Sequence, residues 1–585
     1  MNDFTAQQNA AGSAASTRPR RLLALASAIA CLSMASLAQA ATPETAMTKL
    51  IRGLMQSGAL TRDVGEALLV EARAEAQAAQ AQNTAPVAPA AGGVQTQPGD
   101  VRVPYLSPKA REQIRNEVKT EVMAQAKAEG WAAPNETPEW TKRVRVEADL
   151  RVRNESRFFS GNNSNIEIDW GKINGGSGYD VNPNTNLTLP PLINTREDRT
   201  NLWRLRARVG VLADISERTK AGVRLATGSD DNPVSTNQTL GGGLSKKNVW
   251  LDQGWISHQP TDWVKITAGR FGNPFMSTDT LFSYDLNFDG VAAQFEQALT
   301  SSDTRLFGTV GYIPLEYSSD NFPGTSQDKM RSKNKWLLGT QAGLDWKIND
   351  TNRLRGALAY YDFNNISGKL SEPCALYAGE DHCSTDWARP DFMQKGNTLM
   401  LLRNIALDPL DPANTRMPQY VGLASEFELV DLNLRWDTTV GKGLGLRLEL
   451  DYIRNLAFSE KDIWKRGAGG IVNNFSGSGG TSRADFESGG DAYMLQALLG
   501  HANLKARGDW NVLFGYKYIE PDALPDGYND STFHLGGTNA KGYYLGGSYA
   551  FDRNTWLSGR WFATKEVYGA PLSIDILQFE LNTRF

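Results

Sequence analysis

Beyond Trp140, apolar and polar residues alternate one for one over long stretches of the chain. From Arg143 to Arg153 every odd position is charged and every even position is Val, Ala or Leu. A helix would scatter those charges around its circumference, whereas a strand sends them all to one face. The segment from Trp203 to Val211 repeats the device, with Trp203, Leu205, Ala207, Val209 and Val211 on one face and Arg204, Arg206 and Arg208 on the other. Further two-period segments fall near 219–228, 248–259, 262–270, 289–298, 303–314, 335–347, 352–363, 426–440, 444–455, 491–504, 508–519, 541–552, 553–564 and 573–585, about sixteen in all. The connections alternate in length. Short turns such as 214–217, 259–261, 349–351, 441–443 and 552–554 are interleaved with long polar stretches such as 154–197, 229–247, 316–334, 364–424, 455–490 and 520–540. An even strand count with one rim of turns and one of loops is the arrangement of an outer-membrane barrel. Trp336 and Trp346 share a face ten positions apart, which on a tilted strand spans about 25 Å, the height of the apolar band between aromatic girdles. The predicted fold is all-β, a transmembrane antiparallel β-barrel of about sixteen strands over residues 140–585. Its apolar face meets lipid and its polar face surrounds water.

The N-terminal pattern is different. Arg18, Arg20 and Arg21 precede an apolar run from Leu22 to Leu37, and Ala38-Gln39-Ala40 ends it with small residues. This reads as a signal peptide over 1–40, cleaved after Ala40. Met47, Leu50, Ile51 and Leu54, then Val64, Ala67 and Leu68, recur at helical spacing and predict a helical hairpin over 41–82. Residues 83–105 are rich in Ala, Pro, Gly and Gln and form a linker. A helix with its lead-in follows over 106–139, its face marked by Ile114, Val118, Val122 and Ala126. Placed behind a signal peptide, these segments belong in the periplasm.

Composition narrows the function classes. With 61 basic against 65 acidic residues, the net charge of −4 excludes a general polyanion binder, so no nucleic-acid partner is expected. Four His and three Cys leave little room for a multi-site metal protein, and neither cofactor nor metal is expected. His258, His382, His501 and His534 are scattered without a nucleophile context, so no catalytic residues are assigned and an enzyme is not expected. Placing the polar face inward makes Arg143, Arg145, Arg151, Arg153, Arg204, Arg206, Arg208 and Arg224 pore-lining, on three consecutive strands. Asp431, Arg435, Asp437, Arg447, Glu449 and Asp451 form a mixed wall elsewhere. Fixed charge of this kind biases which ion enters. The expected function is a water-filled channel for passive diffusion of small hydrophilic solutes, leaning toward anions. The rival is a structural or adhesin-type barrel with a plugged or narrow lumen. Asp285, Asn287, Asp289, Gly290 and Glu296 also fit the spacing of a calcium loop, but the helices that flank such a loop are not predicted here. Cys374 and Cys383, in the longest loop, are expected to form a disulfide, with a metal site beside His382 as the alternative.

Several segments carry a family resemblance. Val103-Pro104-Tyr105, Ile114-Arg115-Asn116-Glu117-Val118-Lys119, Gly130-Trp131 and Pro138-Glu139-Trp140-Thr141 resemble the front of the "putative porin" family of proteobacterial outer-membrane proteins. Gly269-Arg270-Phe271-Gly272-Asn273-Pro274-Phe275 and Asp285-Leu286-Asn287-Phe288-Asp289-Gly290 resemble its middle. A more distant similarity links the Gly-Arg-Phe…Pro-Phe stretch and the helical preface to phosphate-selective porins. The resemblance implies a large barrel in the outer membrane, among lipid and lipopolysaccharide, with a periplasmic N-terminal segment, and it implies a homotrimer. The last strand, in which Leu577, Phe579, Leu581 and terminal Phe585 alternate with polar residues, resembles the segment recognised by the barrel-assembly machinery. By analogy with sixteen-stranded general porins, the connection from Phe271 to Asn287 folds inward as a constriction loop. Asp279 and Asp285 would then both face the Arg ladder.

Overall fold

The computed structural model describes Val70 and residues 107–128, 139–299, 303–318, 333–441, 443–476 and 480–585. The predicted signal peptide (1–40), helical hairpin (41–82, Val70 apart) and linker (83–105) lie outside the described residues. The chain divides into two compact units, residues 1–115 and 116–585. Helix α1 (Pro108–Ala128) begins with Pro at its first position, behind Ser107, whose Oγ accepts a hydrogen bond from the Ala110 amide at 3.3 Å. Ile114, Val118 and Val122 are exposed on it.

Among the described residues sixteen long strands then form the barrel, apart from a few two- and three-residue strands in the loops: β1 (Val144–Phe159), β2 (Arg199–Asp214), β3 (Thr219–Thr227), β4 (Val249–Thr261), β5 (Val264–Gly272), β6 (Asn287–Ala298), β7 (Thr304–Glu316), β8 (Lys335–Lys347), β9 (Arg353–Asn364), β10 (Phe427–Val440), β11 (Leu444–Asn455), β12 (Asp491–Gly500), β13 (Trp510–Ile519), β14 (Ala540–Ala550), β15 (Thr555–Lys565) and β16 (Ser573–Arg584). Each pairs antiparallel with its neighbour, and β16 returns to β1 in a register that runs from Asp149 opposite Arg584 to Phe159 opposite Ile574. The sheet is closed, so no ladder edge is left unpaired, which a bilayer requires. The even positions of β1 and the odd positions of β2 point outward. Val146, Leu150, Trp203, Val209 and Val211 are all exposed, as are Leu358, Phe514 and Leu581 on later strands. Trp336 and Trp346 lie on this outer face, at opposite ends of β8. Toward the loop rim Tyr312 stacks on Trp336 at 4.5 Å between ring centroids, and Tyr493 on Tyr518 at 5.2 Å.

The connections sort onto two rims. One carries short turns. The other carries loops L1 (160–198), L2 (228–248), L3 (273–286), L4 (317–334), L5 (365–426), L6 (456–490), L7 (520–539) and L8 (566–572). The turn expected at 259–261 falls at 262–263 instead. Pro260, which has no amide to donate, sits where the β4–β5 register shifts and is tolerated inside the strand. Two loop helices carry cap signals that the alternation argument passed over. Trp170–Asn174 starts behind Asp169, and Glu460–Gly467 starts behind Ser459, each cap accepting from the third residue on.

The inward face differs from the expectation of a polar wall along its whole height. On β9 the inward residues change from Arg353 and Arg355 near the turn rim to Ala357, Ala359, Tyr361 and Phe363 near the loops. On β10 they change from Asp437, Arg435 and Asn433 to Leu429 and Phe427. These upper residues pack against Phe275, Leu281 and Phe282 of L3, Leu399, Val421 and Leu423 of L5, and Leu524 of L7. A second cluster, with Phe533, Tyr544, Phe562, Leu572, Ile574 and Ile576, covers the β14–β16 side. The loops therefore bury their own core inside the mouth of the barrel, because folded loops of this length need apolar area to offset their ordering entropy.

Candidate functional site

Below that apolar collar lies a charged waist. L3 forms it by crossing the lumen. Shortly before the loop leaves β5, Gly269 (φ +113°) lies opposite Gly290 (φ +118°) on β6. A Cβ on Gly269 would come within 2.3 Å of the Gly254 carbonyl oxygen, so both the left-handed backbone and the close approach demand glycine here. The Gln341 side chain on β8 then clamps Met276, accepting from its amide at 2.7 Å and donating to its carbonyl at 2.8 Å. Thr278 donates to Asp451 on β11. Asp279 accepts from Lys517 Nζ on β13 at 2.6 Å. Phe282, 1% exposed, meets Phe288 and Tyr361 edge-on at 5.0 and 5.3 Å. The Ser283 amide donates to the Tyr528 carbonyl at 2.8 Å. Asp285 finally reaches β2, 3.3 Å from Arg206 and 3.4 Å from Arg208.

The expectation that Asp279 and Asp285 both face the Arg ladder is thus corrected. Only Asp285 does. The buried Leu281 and Phe282 turn the loop between them, and Asp279 ends on another part of the wall, at Lys517. Arg143 lies one residue before β1, and Arg145 is exposed on β1. The structure brings the other six ladder residues together, but each has an acidic partner. Arg153 binds Glu580 at 2.5 Å and lies 3.6 Å from Glu155. Arg151 lies 3.9 Å from Glu580, and Arg204 3.4 Å from Glu155. Arg206 and Arg208 share Asp149 at 2.9 and 2.7 Å. Arg224 binds Asp252 at 2.5 Å. The mixed wall is paired as well, Arg435 with Glu449 and Arg447 with Asp437, at 2.7 and 2.6 Å. Asp431 and Asp451 are both fully buried and hydrogen-bonded to each other, and Asp431 also accepts from Asn433 at 2.7 Å.

Sequence reasoning missed Glu155, Asp252, Lys517, Arg560 and Glu580 as waist residues. Strand parity was the available signal for most of them, since Glu580 alternates with the outward Phe579 and Leu581, and Arg560 stands beside the outward Trp561. Two water-accessible cavities open beneath L3. One of about 1130 Å³ is lined by Asp149, Arg206, Arg208, Arg224, Trp255 and Lys505, and one of about 720 Å³ by Lys265, Pro274, Phe307, Gln341, Arg355 and Arg435. The calcium-loop residues are engaged elsewhere. Asp289 binds Arg270 and Glu296 binds Arg305, each at 3.0 Å, and no cluster of three or more metal-ligating side chains occurs among the described residues. Cys374 and Cys383 are joined by a disulfide in L5.

Comparison with known proteins adds the following. The family model described as "Putative porin" matches residues 44–585. No curated protein sequence matches the chain. Among solved structures, the chain is similar to OprB of Pseudomonas putida at 11% identity, covering 76% of this chain and 95% of that one, with a TM-score of 0.40. It is also similar to the outer-membrane channel DcaP of Acinetobacter baumannii at 8% identity, covering 76% and 98%, with a TM-score of 0.34. For the trimer form of OmpT of Vibrio cholerae the identity is again 8%, the coverage 76% and 100%, and the TM-score 0.34.

Proposed function

The chain belongs to the "Putative porin" family of outer-membrane channel proteins, and from that premise we propose that it is a passive diffusion pore for small hydrophilic solutes, leaning toward anions. The observation that carries this reading is L3. It narrows the barrel at mid-height with charge on both flanks, and water-accessible cavities lie beneath it. On the ladder wall six arginines meet five carboxylates (Asp149, Glu155, Asp252, Asp285 and Glu580), so the wall keeps a small excess of positive charge at the constriction. Fixed charge at a constriction raises the local concentration of counter-ions and biases permeation. The loop rim faces the medium and the turn rim the periplasm, with the N-terminal segment on the periplasmic side. The C-terminal strand, ending at Phe585, addresses the chain to the barrel-assembly machinery, and the protein assembles as a trimer among lipid and lipopolysaccharide. Its role is transport rather than catalysis.

The apolar collar supports a second reading, a barrel whose mouth is sealed and whose loops act as an adhesive or structural surface. Planar-bilayer recording on the purified full chain separates the two. The pore reading expects discrete conductance steps and, in a salt gradient, a reversal potential on the anion side. A cation-side potential removes the anion lean, and the absence of steps leaves the sealed barrel.

A further inference from the structure

The waist contains a guanidinium that the pairing scheme leaves over. Arg560, at the middle of β15, points inward between Ser558 and Phe562 and is exposed to the lumen. Among the described residues it has no hydrogen-bonded or ion-paired partner. The acids that act on it electrostatically are Glu580, Asp279 and Asp530, and Glu580 and Asp279 are already bound, to Arg153 and to Lys517. Facing this side of the wall is Tyr284 of L3. Its side chain is 75% exposed although it stands inside the barrel, and Arg560, Arg435, Glu449 and Asp279 all act on it. Its neighbours in sequence are pinned. Ser283 is bonded to Tyr528 and Val234, and Asp285 to Arg206, Arg208 and Thr236. The ring is therefore held out into the lumen by a fixed backbone. The wall around Arg560 is kept low by glycine: a Cβ on Gly546 would sit 3.3 Å from the Arg560 side chain, and one on Gly515 would collide with Tyr544.

We propose that solutes cross the waist between the tip of L3 and the β14–β15 wall, and that Arg560 and Tyr284 form a station selective for small monocarboxylates bearing a planar ring. The proposal rests on the chain being an open pore. A free guanidinium offers a fork of donors to a carboxylate, which the compensated ladder arginines no longer do. An exposed phenol ring offers a flat face against which an aromatic or conjugated group stacks. The backbone that carries Tyr284 is pinned before the solute arrives, so less ordering is required when it binds. The station holds one unpaired cation, since Asp279 and Glu449 nearby are already bound to Lys517 and Arg435. One guanidinium compensates one carboxylate and leaves a second without a partner, so monoanions are favoured over dianions.

The test uses the full-length protein in planar bilayers, with chloride, acetate, benzoate and phthalate salts of potassium. Wild type is expected to show a benzoate-to-acetate permeability ratio well above the ratio of their mobilities in water, and a lower ratio for phthalate. Arg560→Gln should lower benzoate relative to chloride several-fold, with Arg560→Lys intermediate because it keeps charge and loses the fork. Tyr284→Ala should bring benzoate down toward acetate. Arg218→Gln, on the turn rim beside Asp262, should leave the ratios unchanged. An absent wild-type conductance overturns the pore reading itself. A conducting wild type whose ratios are unmoved by Arg560→Gln, or moved further by Arg206→Gln, overturns only the station. Heat-modifiable migration of each variant confirms that the barrel has formed.

Discussion

Glu580 shows what one side chain does at the seam where the barrel closes. It is 5% exposed, holds Arg153 at 2.5 Å across the β1–β16 junction, and lies 3.9 Å from Arg151. Arg153 is equally buried, and its only other acidic partner among the described residues, Glu155, is shared with Arg157 and Arg204. Glu580→Gln keeps the shape and removes the charge, so it leaves a buried guanidinium short of compensation. Breaking such a pair by removing one partner costs about 3–5 kcal/mol. The expected outcome is a lowered temperature for conversion of the heat-modifiable band, with strand content by circular dichroism unchanged below it. An unchanged conversion temperature would mean that lumen water already screens the pair. Strand parity places Arg151 and Arg153 inside from the sequence alone. It could not find their partner, because Glu580 lies 427 residues from Arg153 and only ring closure brings the two together.

At the scale of elements, L3 and the upper loops behave as packed structure. Lys517, 3% exposed at its side chain, holds Asp279 and so ties L3 to β13. Lys517→Met should leave Asp279 uncompensated near Asp451 and Asp530, release this end of L3, and raise single-channel conductance. L7 and L8 supply a pH dependence. Burial pushes Glu566 up to about 7 against the pull of Lys395 and backbone amides, and pushes Asp526 up to about 7 as well. His534, hydrogen-bonded to Thr564 at 3.0 Å, is held well below its ordinary value by burial first and Lys395 second. Between the ordinary carboxylate range and about pH 7, Glu566 and Asp526 keep protons in the folded loops that the unfolded chain releases, as burial also favours for Asp522 and Asp530, so stability falls as pH rises through that window. His534 acts in the opposite sense: below about 6.5 the unfolded chain binds a proton that the fold refuses, so this contribution rises with pH. The unfolding temperature of wild type should therefore fall between pH 5 and 7, and the double variant Glu566→Gln with Asp526→Asn should fall less steeply over the same range. Equal slopes in the two proteins would place the titration elsewhere. None of this loop chemistry was legible in the sequence. Alternation reports which face a strand residue takes, and by that parity Tyr361, Phe363, Leu429 and Phe427 fall on the inner face of β9 and β10. It carries nothing about what meets them there. L3, L5 and L7 have no period, and their apolar residues find the upper wall only through tertiary contact. The same limit explains why the analogy said nothing of Lys517, the residue at which Asp279 ends.

At the scale of the whole molecule, one sheet separates two solvents, and a substitution should cost according to which of them it meets. Leu358 stands near the middle of β9, 57% exposed on the apolar outer face. Gln259 lines the 720 Å³ cavity on the inner side. Arginine at a lipid-facing position near mid-bilayer costs about 2–4 kcal/mol, because the charge must draw water or headgroups toward itself. Arginine on a wall already bathed in water should change stability by less than about 0.5 kcal/mol. Leu358→Arg and Gln259→Arg, refolded into the same vesicles and unfolded in guanidinium with tryptophan fluorescence as the readout, should differ accordingly. In soluble detergent-free buffer the contrast has no basis, since both side chains would face water. The comparison therefore tests the placement of the barrel in lipid directly, without relying on conductance. Equal destabilisation of the two variants in vesicles would mean that the outer face of β9 does not meet hydrocarbon, and the waist, the collar and the station at Arg560 would then have to be read as parts of a different kind of molecule.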